Sequence, residues 1–262
     1  MEAFLDFSRK SSQEPYAVLT SIHSSSAVVV PAREFTDKVL ALCPAVAVFD
    51  CDGTLWSRDS GYEFMVWSIE QGILSRNSSD WIDSRYRLYL AGEIAESPMC
   101  GEMAQIYDGL SESEVRTAAA SFFRSRIAGS IFPQMRALTD ALAAQGSELW
   151  AVSSTNNWVI EEGVRSLHIP PERVRAVRVE VAQGKITSKL LDVPSGPGKV
   201  ASLAAAGVVL PDAVFGNSIH DAEMLQAARH PFPVNPSPAL LRMAAERGWP
   251  VFYPEQSFPQ PA

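Results

Sequence analysis

The segment that most restricts the possible folds and functions of this chain is AVAVFDCDGTLW at residues 45–56, a hydrophobic run followed by two aspartates. Continuous apolar positions are typical of a strand buried on both faces in a parallel sheet. Asp50 and Asp52 are two positions apart, and side chains at i and i+2 of a strand point to the same side. In the loop after the strand the two carboxylates can therefore face one ligand. This suits a metal-assisted nucleophile beside an acid/base.

The composition is that of an ordinary globular protein with an acidic balance. The 262 residues are 47% hydrophobic and 20% charged, and the net charge is −8 at pH 7. A general nucleic-acid surface needs a basic face, so nucleic acid is not an expected partner. An anionic phosphate would need local positive charge from a metal, a lysine or helix N-termini.

The cysteines and the apolar segments predict a cytoplasmic protein. The three cysteines (Cys43, Cys51 and Cys100) are irregularly spaced and predict no disulfide framework. Cys51 is predicted to point away from the carboxylates and to pack as a small apolar residue. Polar residues interrupt the apolar part of residues 16–30, which disfavours a signal peptide. No apolar stretch approaches the ~20 residues of a membrane span, so no membrane partner is expected.

The pattern of apolar residues predicts an α/β fold with a helical insert. Residues 33–43 have helical spacing, and residues 56–130 contain only helical patterns, with Ser79-Asp80 and Ser111 as predicted N-caps. Strands and helices alternate after residue 130, and the predicted elements include a strand at residues 148–153, a β-hairpin around residues 183–184 and a helix at residues 220–230.

These elements predict a doubly wound parallel sheet with a helical cap domain inserted after its first strand. The core would comprise residues 1–55 and 131–262, and the cap residues 56–130. Residues 1–30 are expected to form a weakly ordered extension or a peripheral helix.

Three further segments, ELWAVSST (148–155), SGPGKVASL (195–203) and AVFGNSIHDAEML (213–225), each carry a polar group at a strand end or helix start. Alone, each is a weak signal. In this order around a helical insert, the four segments resemble the haloacid dehalogenase-like (HAD) superfamily of phosphatases. The similarity is greatest to the branch containing phosphoserine phosphatase and covers roughly residues 45–250.

The resemblance implies the following roles for the first segment. Asp50 would be the nucleophile that forms an aspartyl-phosphate, and Asp52 would protonate the leaving oxygen and then activate water. The Asp52 carbonyl would also ligate Mg²⁺. Gly53 would let the backbone approach the phosphate, and Thr54 would help to set the turn.

The other segments would bind the phosphate and the metal. The Ser153 hydroxyl and the Ser154 N–H would hold phosphoryl oxygens, with Ser154 next to a helix N-terminus. Lys199 would neutralise the charges of the nucleophile and the phosphate. Asn217 would ligate Mg²⁺ with Asp50 and Asp52, and Asp221 would hold a metal-bound water.

Asn217 stands where the family often has an aspartate (GDxxxD). The site would carry one negative charge fewer, which predicts weaker Mg²⁺ affinity, with inactivity as the alternative. His220, before the last aspartate, is either a phosphate contact or a helix-start residue without a chemical role.

The insert would choose the substrate. Asp59, nine residues after Asp50, and Glu63, one helical turn further, form an acidic pair that would favour an amino or ammonium group. The alternative is that both are solvated charges. Arg85 and Arg87 could instead receive a substrate carboxylate. The insert is also rich in aromatic residues, which could form a cation cage or a packed core: Trp56, Tyr62, Phe64, Trp67, Trp81, Tyr86 and Tyr89.

We therefore expect a Mg²⁺-dependent phosphomonoester hydrolase that acts on a small phosphorylated metabolite, with an amino or ammonium group as one option. Two alternatives remain at this point. One is a phosphotransferase with an alcohol acceptor, and the other is a catalytically weak phosphate-binding or interaction protein on a HAD fold.

Overall fold

A six-stranded sheet with helices on both faces organises the chain, and the computed structural model describes residues 27–255. The strands are β1 (Val28–Val29), β2 (Val46–Phe49), β3 (Glu148–Asn156), β4 (Val174–Ala182), β5 (Lys185–Asp192), β6 (Ala213–Gly216), β7 (His230–Pro233) and β8 (Pro250–Val251). The α-helices are α1 (Ala32–Ala41), α2 (Ser60–Glu70), α3 (Arg76–Leu90), α4 (Glu96–Gln105), α5 (Glu112–Phe122), α6 (Pro133–Ala144), α7 (Asn157–Val164), α8 (Pro197–Ala205), α9 (Ala222–Gln226) and α10 (Pro238–Arg247). None of these helices is both long and apolar enough to cross a membrane.

The main sheet has the strand order β5-β4-β3-β2-β6-β7. All neighbouring pairs are parallel except β4 and β5, which form the predicted hairpin. Its turn residues, Gln183 and Gly184, have φ values of 52° and 77°. Two positive φ values are what a tight hairpin turn needs to match the twist of its strands. The predicted doubly wound sheet is confirmed.

Strand β2 is buried on both faces because its side chains alternate between two apolar clusters. Ala47 and Phe49 lie in the cluster that includes α1, α6 and the insert, whereas Val48 lies in the cluster beneath α8, α9 and α10. Burial of each large apolar side chain stabilises the fold by ~1.5–3 kcal/mol. The strand that carries the two aspartates is therefore fixed from both sides.

The insert after β2 is helical throughout, as predicted. It contains α2 to α5, followed by a π-helical turn (Phe123–Ile127) and a 3₁₀ turn (Ala128–Ser130). Helix α4 packs against β3, β4 and β5. Because insert residues such as Phe64 and Phe122 share one apolar cluster with the sheet, its description as a separate cap domain stays a prediction.

Three local predictions were wrong. Helix α3 begins earlier than expected, because Ser75 caps it by accepting the N–H of Ser78. The predicted helix at 220–230 ends at Gln226, and His230 begins β7, where pairing with β6 replaces helical hydrogen bonds. Residues 28–29 pair in parallel with Pro250–Val251 and are not part of a loose extension. Residues 1–26 of that extension lie outside the described residues.

Candidate active site

The carboxyl ends of β2, β3 and β6 meet at one edge of the sheet, where ligands bind in open α/β folds. A cavity of about 580 Å³ opens there. Most of the residues predicted for the site line this cavity: Asp50, Asp52, Gly53, Asp59, Ser153, Ser154, Lys199 and Asn217. Four remote segments are thus brought together in one place.

Asp50 is buried at the floor of the cavity, and each of its carboxylate oxygens has a donor. Thr54 Oγ1 donates to Oδ2 at 2.7 Å, and Lys199 Nζ donates to Oδ1 at 2.8 Å. Burial and the nearby charge of Asp221 raise the pKa of Asp50 to about 7, and Lys199 opposes this shift. Asp50 is therefore held in one orientation while it faces the open space of the cavity.

Lys199 lies between two carboxylates. It is in the first turn of α8, almost fully buried, and its Nζ is also 2.5 Å from Asp221 Oδ1. Burial disfavours the charge, but Asp221 and Asp50 outweigh burial and raise the pKa of Lys199. The ammonium is thus a fixed positive charge beside Asp50.

Asp221 lies behind Lys199 and does not line the cavity. It is fully buried, and its Oδ2 accepts the backbone N–H groups of Asn217 and Ser218, each at 2.9 Å. With Oδ1 bound to Lys199, both oxygens of Asp221 are engaged behind the cavity wall. Asp221 therefore positions Lys199 and the loop after β6, and its contact with a metal-bound water stays a prediction.

Asp52 is held by donors from three elements. Its Oδ1 accepts from Trp56 Nε1 at 2.6 Å and from the N–H and hydroxyl of Ser60 at 2.9 and 2.6 Å. Its Oδ2 accepts from Thr155 Oγ1 at 2.8 Å. Ser60 opens α2 and Thr155 lies in β3, so the insert and the sheet together fix the orientation of this carboxylate.

Strand β3 runs further than predicted, to Asn156, so Ser154 lies within the strand and not beside a helix N-terminus. Its hydroxyl donates to the Pro194 carbonyl at 3.1 Å. Ser153 is buried, and its Oγ accepts the N–H of Thr155 at 3.1 Å. Both serines still line the cavity.

Of the acidic pair predicted in the insert, only Asp59 lines the cavity. It caps α2 by accepting the N–H of Tyr62 at 2.9 Å. Although Asp59 is open to the cavity, desolvation by the surrounding protein and the charge of Asp52 raise its pKa to about 7. Glu63 does not line the cavity and forms a bidentate ion pair with Arg58, at 2.7–2.8 Å. The expected amine contact of Glu63 stays a prediction.

The aromatic residues of the insert divide between two roles. Tyr62, Tyr86 and Tyr89 line the cavity, with ring centroids of Tyr62 and Tyr86 4.7 Å apart. Phe64 and Trp67 pack with Tyr107 and Phe122 in the apolar cluster, and Trp81 is exposed. The packed core is therefore observed for Phe64 and Trp67, and a cation cage formed by the three tyrosines stays a prediction.

The two arginines considered for a substrate carboxylate are engaged elsewhere. Arg85 pairs with Glu102, and Arg87 pairs with Asp83. Neither arginine lines the cavity. Cys51, as predicted, is buried in the apolar cluster, and burial raises the pKa of its thiol, which makes it a poor nucleophile.

The sequence comparison identifies the family. The haloacid dehalogenase-like hydrolase family matches residues 47–226, which is more than half of the chain. This chain belongs to the HAD-like hydrolase family. The predicted family and the prediction of a hydrolytic enzyme are confirmed.

Similar proteins support the same assignment. A histidinol-phosphatase from Neisseria meningitidis serogroup C (strain 8013) is 25% identical over 217 residues, which cover 79% of this chain and 97% of the relative. A solved structure of a protein of unknown function from Bordetella pertussis Tohama I has a TM-score of 0.70 at 25% identity, covering 79% of this chain and 97% of that one. A substrate-bound phosphoserine phosphatase, at 14% identity, has a TM-score of 0.55 over 81% of this chain and 94% of its own, and supports the fold alone.

The HAD family implies a divalent cation, and the donors present fit one. An added Cβ at Gly53, which has a φ of 77°, would lie 1.8 Å from Asn217 Nδ2, so the two loops meet closely beside Asp50. The Asp50 carboxylate, the Asp52 carbonyl and the Asn217 amide are hard oxygen donors that suit Mg²⁺. Within residues 27–255, no three His, Cys, Asp or Glu side chains form a metal-binding group. A cation at this site would thus need the Asn217 amide and the Asp52 backbone carbonyl as ligands in addition to the Asp50 carboxylate.

Four residues at this site were missed from the sequence. Trp56, Ser60 and Thr155 bind Asp52, and the first two lie close enough after the aspartate motif to have been considered. Glu96, the first residue of α4, lines the cavity and is far from every motif in sequence. Its Oε2 accepts from Ser195 Oγ at 2.7 Å and from His220 Nδ1 at 2.6 Å. No local sequence signal distinguishes Glu96 from other insert acids.

Proposed function

We propose that this HAD hydrolase is a Mg²⁺-dependent phosphomonoester hydrolase that acts on a small phosphorylated metabolite through an aspartyl-phosphate at Asp50. The observation that carries the proposal is the buried chain of Asp50, Lys199 and Asp221, joined by contacts of 2.8 and 2.5 Å at the floor of the cavity. A buried lysine shared by two carboxylates fixes a positive charge beside an oriented nucleophile. Such fixed charges lower the barrier for a reaction that develops anionic charge.

In the proposed reaction, an oxygen of Asp50 attacks phosphorus and the bond from phosphorus to the ester oxygen breaks. Asp52 gives its proton to the departing oxygen, which leaves as an alcohol. A water then attacks the phosphorus of the aspartyl-phosphate, and Asp52 takes up its proton. The acyl–phosphate bond breaks, which returns Asp50 and releases inorganic phosphate.

The remaining residues position the phosphate and balance charge. Lys199 offsets the negative charge of Asp50 and of a phosphoryl oxygen, and Ser153, which lines the cavity, would donate its hydroxyl to the phosphate. Asp50, Asp52 and Asn217 would hold Mg²⁺. When bound, the cation neutralises phosphoryl charge and orients the phosphate.

A cationic group on the substrate is favoured by the charge of the cavity. Its lining contains the acidic side chains of Asp50, Asp52, Asp59 and Glu96, and the basic side chains of Lys199, Arg58 and His220. Lys199 also serves Asp221, Arg58 is paired with Glu63 and His220 with Glu96, so the acidic groups still outnumber the basic ones. Because the Neisseria relative is named histidinol-phosphatase, histidinol phosphate, an amino-alcohol phosphate, is the first substrate to test.

Two alternatives are separated by simple assays. A phosphotransferase would release little inorganic phosphate, and once an alcohol acceptor is added it would transfer the phosphoryl group to that alcohol as a new phosphate ester. A binding protein on this fold would retain ligand without turnover. The Asp50–Lys199–Asp221 arrangement favours hydrolysis over mere binding, because a phosphate-binding role needs no oriented nucleophile.

The cytoplasmic location expected from the sequence stays a prediction.

The test is release of inorganic phosphate from p-nitrophenyl phosphate and from histidinol phosphate, with Mg²⁺ and no added alcohol. Asp50→Asn removes the nucleophile and should lower kcat by at least about 1000-fold. Acid quenching of the wild-type enzyme with ³²P-labelled substrate should trap label on Asp50. Equal turnover by the wild type and the variant would contradict the covalent mechanism.

A further inference from the structure

We propose that Glu96 is the residue that recognises the substrate's cationic group, an ammonium carried a few bonds from the phosphate ester. This inference rests on the proposed function and names the residue that selects the substrate class. The sequence expectation gave that role to Asp59 and Glu63. The geometry points to a carboxylate on a different helix.

Glu96 combines access to the cavity with a fixed orientation. It opens α4, its side chain is 17% exposed, and it lines the same cavity as Asp50. Ser195 Oγ and His220 Nδ1 both bind its Oε2, at 2.7 and 2.6 Å. Because Ser195 and His220 belong to the core, they hold an insert carboxylate at the boundary between the insert and the phosphate site. A carboxylate fixed in advance binds a cation with little further loss of side-chain freedom.

Tyrosine rings of the insert line the same cavity as this carboxylate. The rings of Tyr86 and Tyr89 are 5.8 Å apart and line the cavity. An ammonium would then have a carboxylate and tyrosine rings as neighbours, and both attract cations.

The other acids of the insert are less suitable. Asp59 caps α2, and its pKa of about 7 leaves it only partly ionised near neutral pH. Glu63 is neutralised by Arg58. Burial opposes the ionisation of Glu96, but the hydrogen bonds from His220 and Ser195 outweigh it and lower the pKa of Glu96. Glu96 shares its charge with His220, whose pKa it raises, but both of its contacts are made by Oε2 and its side chain lines the cavity.

The test measures binding without turnover. Isothermal titration calorimetry in Mg²⁺ buffer compares 3-aminopropylphosphonate with butylphosphonate, which differ in having an ammonium or a methyl group at the chain end. The wild-type protein should bind the ammonium compound about tenfold more tightly, and Glu96→Gln should remove that preference. Glu102→Gln is the matched control: Glu102 lies on the same helix, is paired with Arg85 and is outside the cavity lining. It should keep the preference, and so should Asp59→Asn.

Several results would overturn the inference. One is a wild-type protein that shows no preference for the ammonium compound, or that binds neither phosphonate. Another is a Glu96→Gln variant that keeps the preference. If Glu96 serves only as a latch between insert and core, Glu96→Gln would weaken both ligands equally and leave their ratio unchanged. A protein that hydrolyses p-nitrophenyl phosphate but lacks the ammonium preference would refute this inference while the proposed function stands.

Discussion

The indole N–H of Trp56 donates to a carboxylate oxygen of Asp52 over 2.6 Å, although Trp56 is otherwise surrounded by apolar groups. Trp56 also packs edge-to-face against Phe123, with ring centroids 5.3 Å apart. It sits where the chain leaves the sheet for the insert, and Ile131, where the chain returns, bridges to it. Trp56 thus links the proposed acid/base to both ends of the insert, through its indole N–H and its backbone.

Replacement of Trp56 by Phe should impair proton transfer more than folding. The variant keeps an aromatic ring but loses one donor that orients Asp52. We expect kcat for an alkyl phosphate to fall about tenfold, and the loss for p-nitrophenyl phosphate to be smaller, since that leaving group needs little protonation.

The matched control is Trp150→Phe, because the buried Nε1 of Trp150 has no hydrogen-bond partner among the described residues. This variant should leave both rates unchanged. Equal losses for the two substrates in Trp56→Phe would argue against Asp52 as the general acid.

Replacement of Lys199 by Met should lower both activity and stability. The variant leaves the buried carboxylates of Asp50 and Asp221 without their shared cation. Breaking a buried ion pair in this way costs about 3–5 kcal/mol, and loss of a charge at the reacting group costs about 100- to 1000-fold in kcat. Urea unfolding and initial rates measure the two effects.

Lys189→Met provides the comparison for Lys199, since the Lys189–Glu180 pair is exposed. It should change the free energy of unfolding by less than about 1 kcal/mol. A Lys199→Met protein as stable as Lys189→Met would contradict the view that Lys199 holds the two carboxylates together.

Replacement of Gly53 by Ala should disturb the loop that carries the two aspartates. The new Cβ would lie 1.8 Å from Asn217 Nδ2, in addition to the cost of a φ of 77°. We expect a destabilisation of about 1–3 kcal/mol from backbone strain and a loss of most activity, because Asn217 must move. Gly72→Ala separates the two causes, since Gly72 has a φ of 68° and no atom within 4 Å of an added Cβ. If Gly72→Ala lowered stability and activity as much as Gly53→Ala, the contact with Asn217 would not be the cause.

Replacement of Asn217 by Asp should strengthen Mg²⁺ binding. The change adds a negative charge to a donor set that otherwise has one carboxylate, one amide and one carbonyl, and affinity for hard cations rises with ligand charge. The Mg²⁺ concentration for half-maximal activity should fall several-fold, and calorimetric titration of the substrate-free protein with Mg²⁺ should agree. An unchanged Mg²⁺ requirement would remove Asn217 from the proposed ligand set.

Much of the fold could be predicted because the signals are local. A strand apolar at every position, such as β2, has to be covered on both faces, and strand–helix alternation then implies a parallel sheet. Boundaries were harder to predict where a local choice depends on a distant partner. His230 continues a helical pattern in sequence, but pairing with β6 draws it into β7.

The candidate site was predictable where a motif fixes a residue's direction, as for Asp50 and Lys199. It was not predictable where contacts come from remote elements. Asp221 was expected at the metal, but the two backbone N–H groups and the lysine that engage it become visible only in three dimensions. Glu96 is likewise oriented by Ser195 and His220, and the sequence of its own helix does not predict these contacts.

The parallel pairing of Val28–Val29 with Pro250–Val251 places the two ends of the described part of the chain side by side. A short linker could therefore join them, and the chain could be reopened at the exposed hairpin turn of Gln183 and Gly184. Such a circular permutant would keep the topology of the sheet, and reporter domains fused to its new termini would emerge beside the β4–β5 edge.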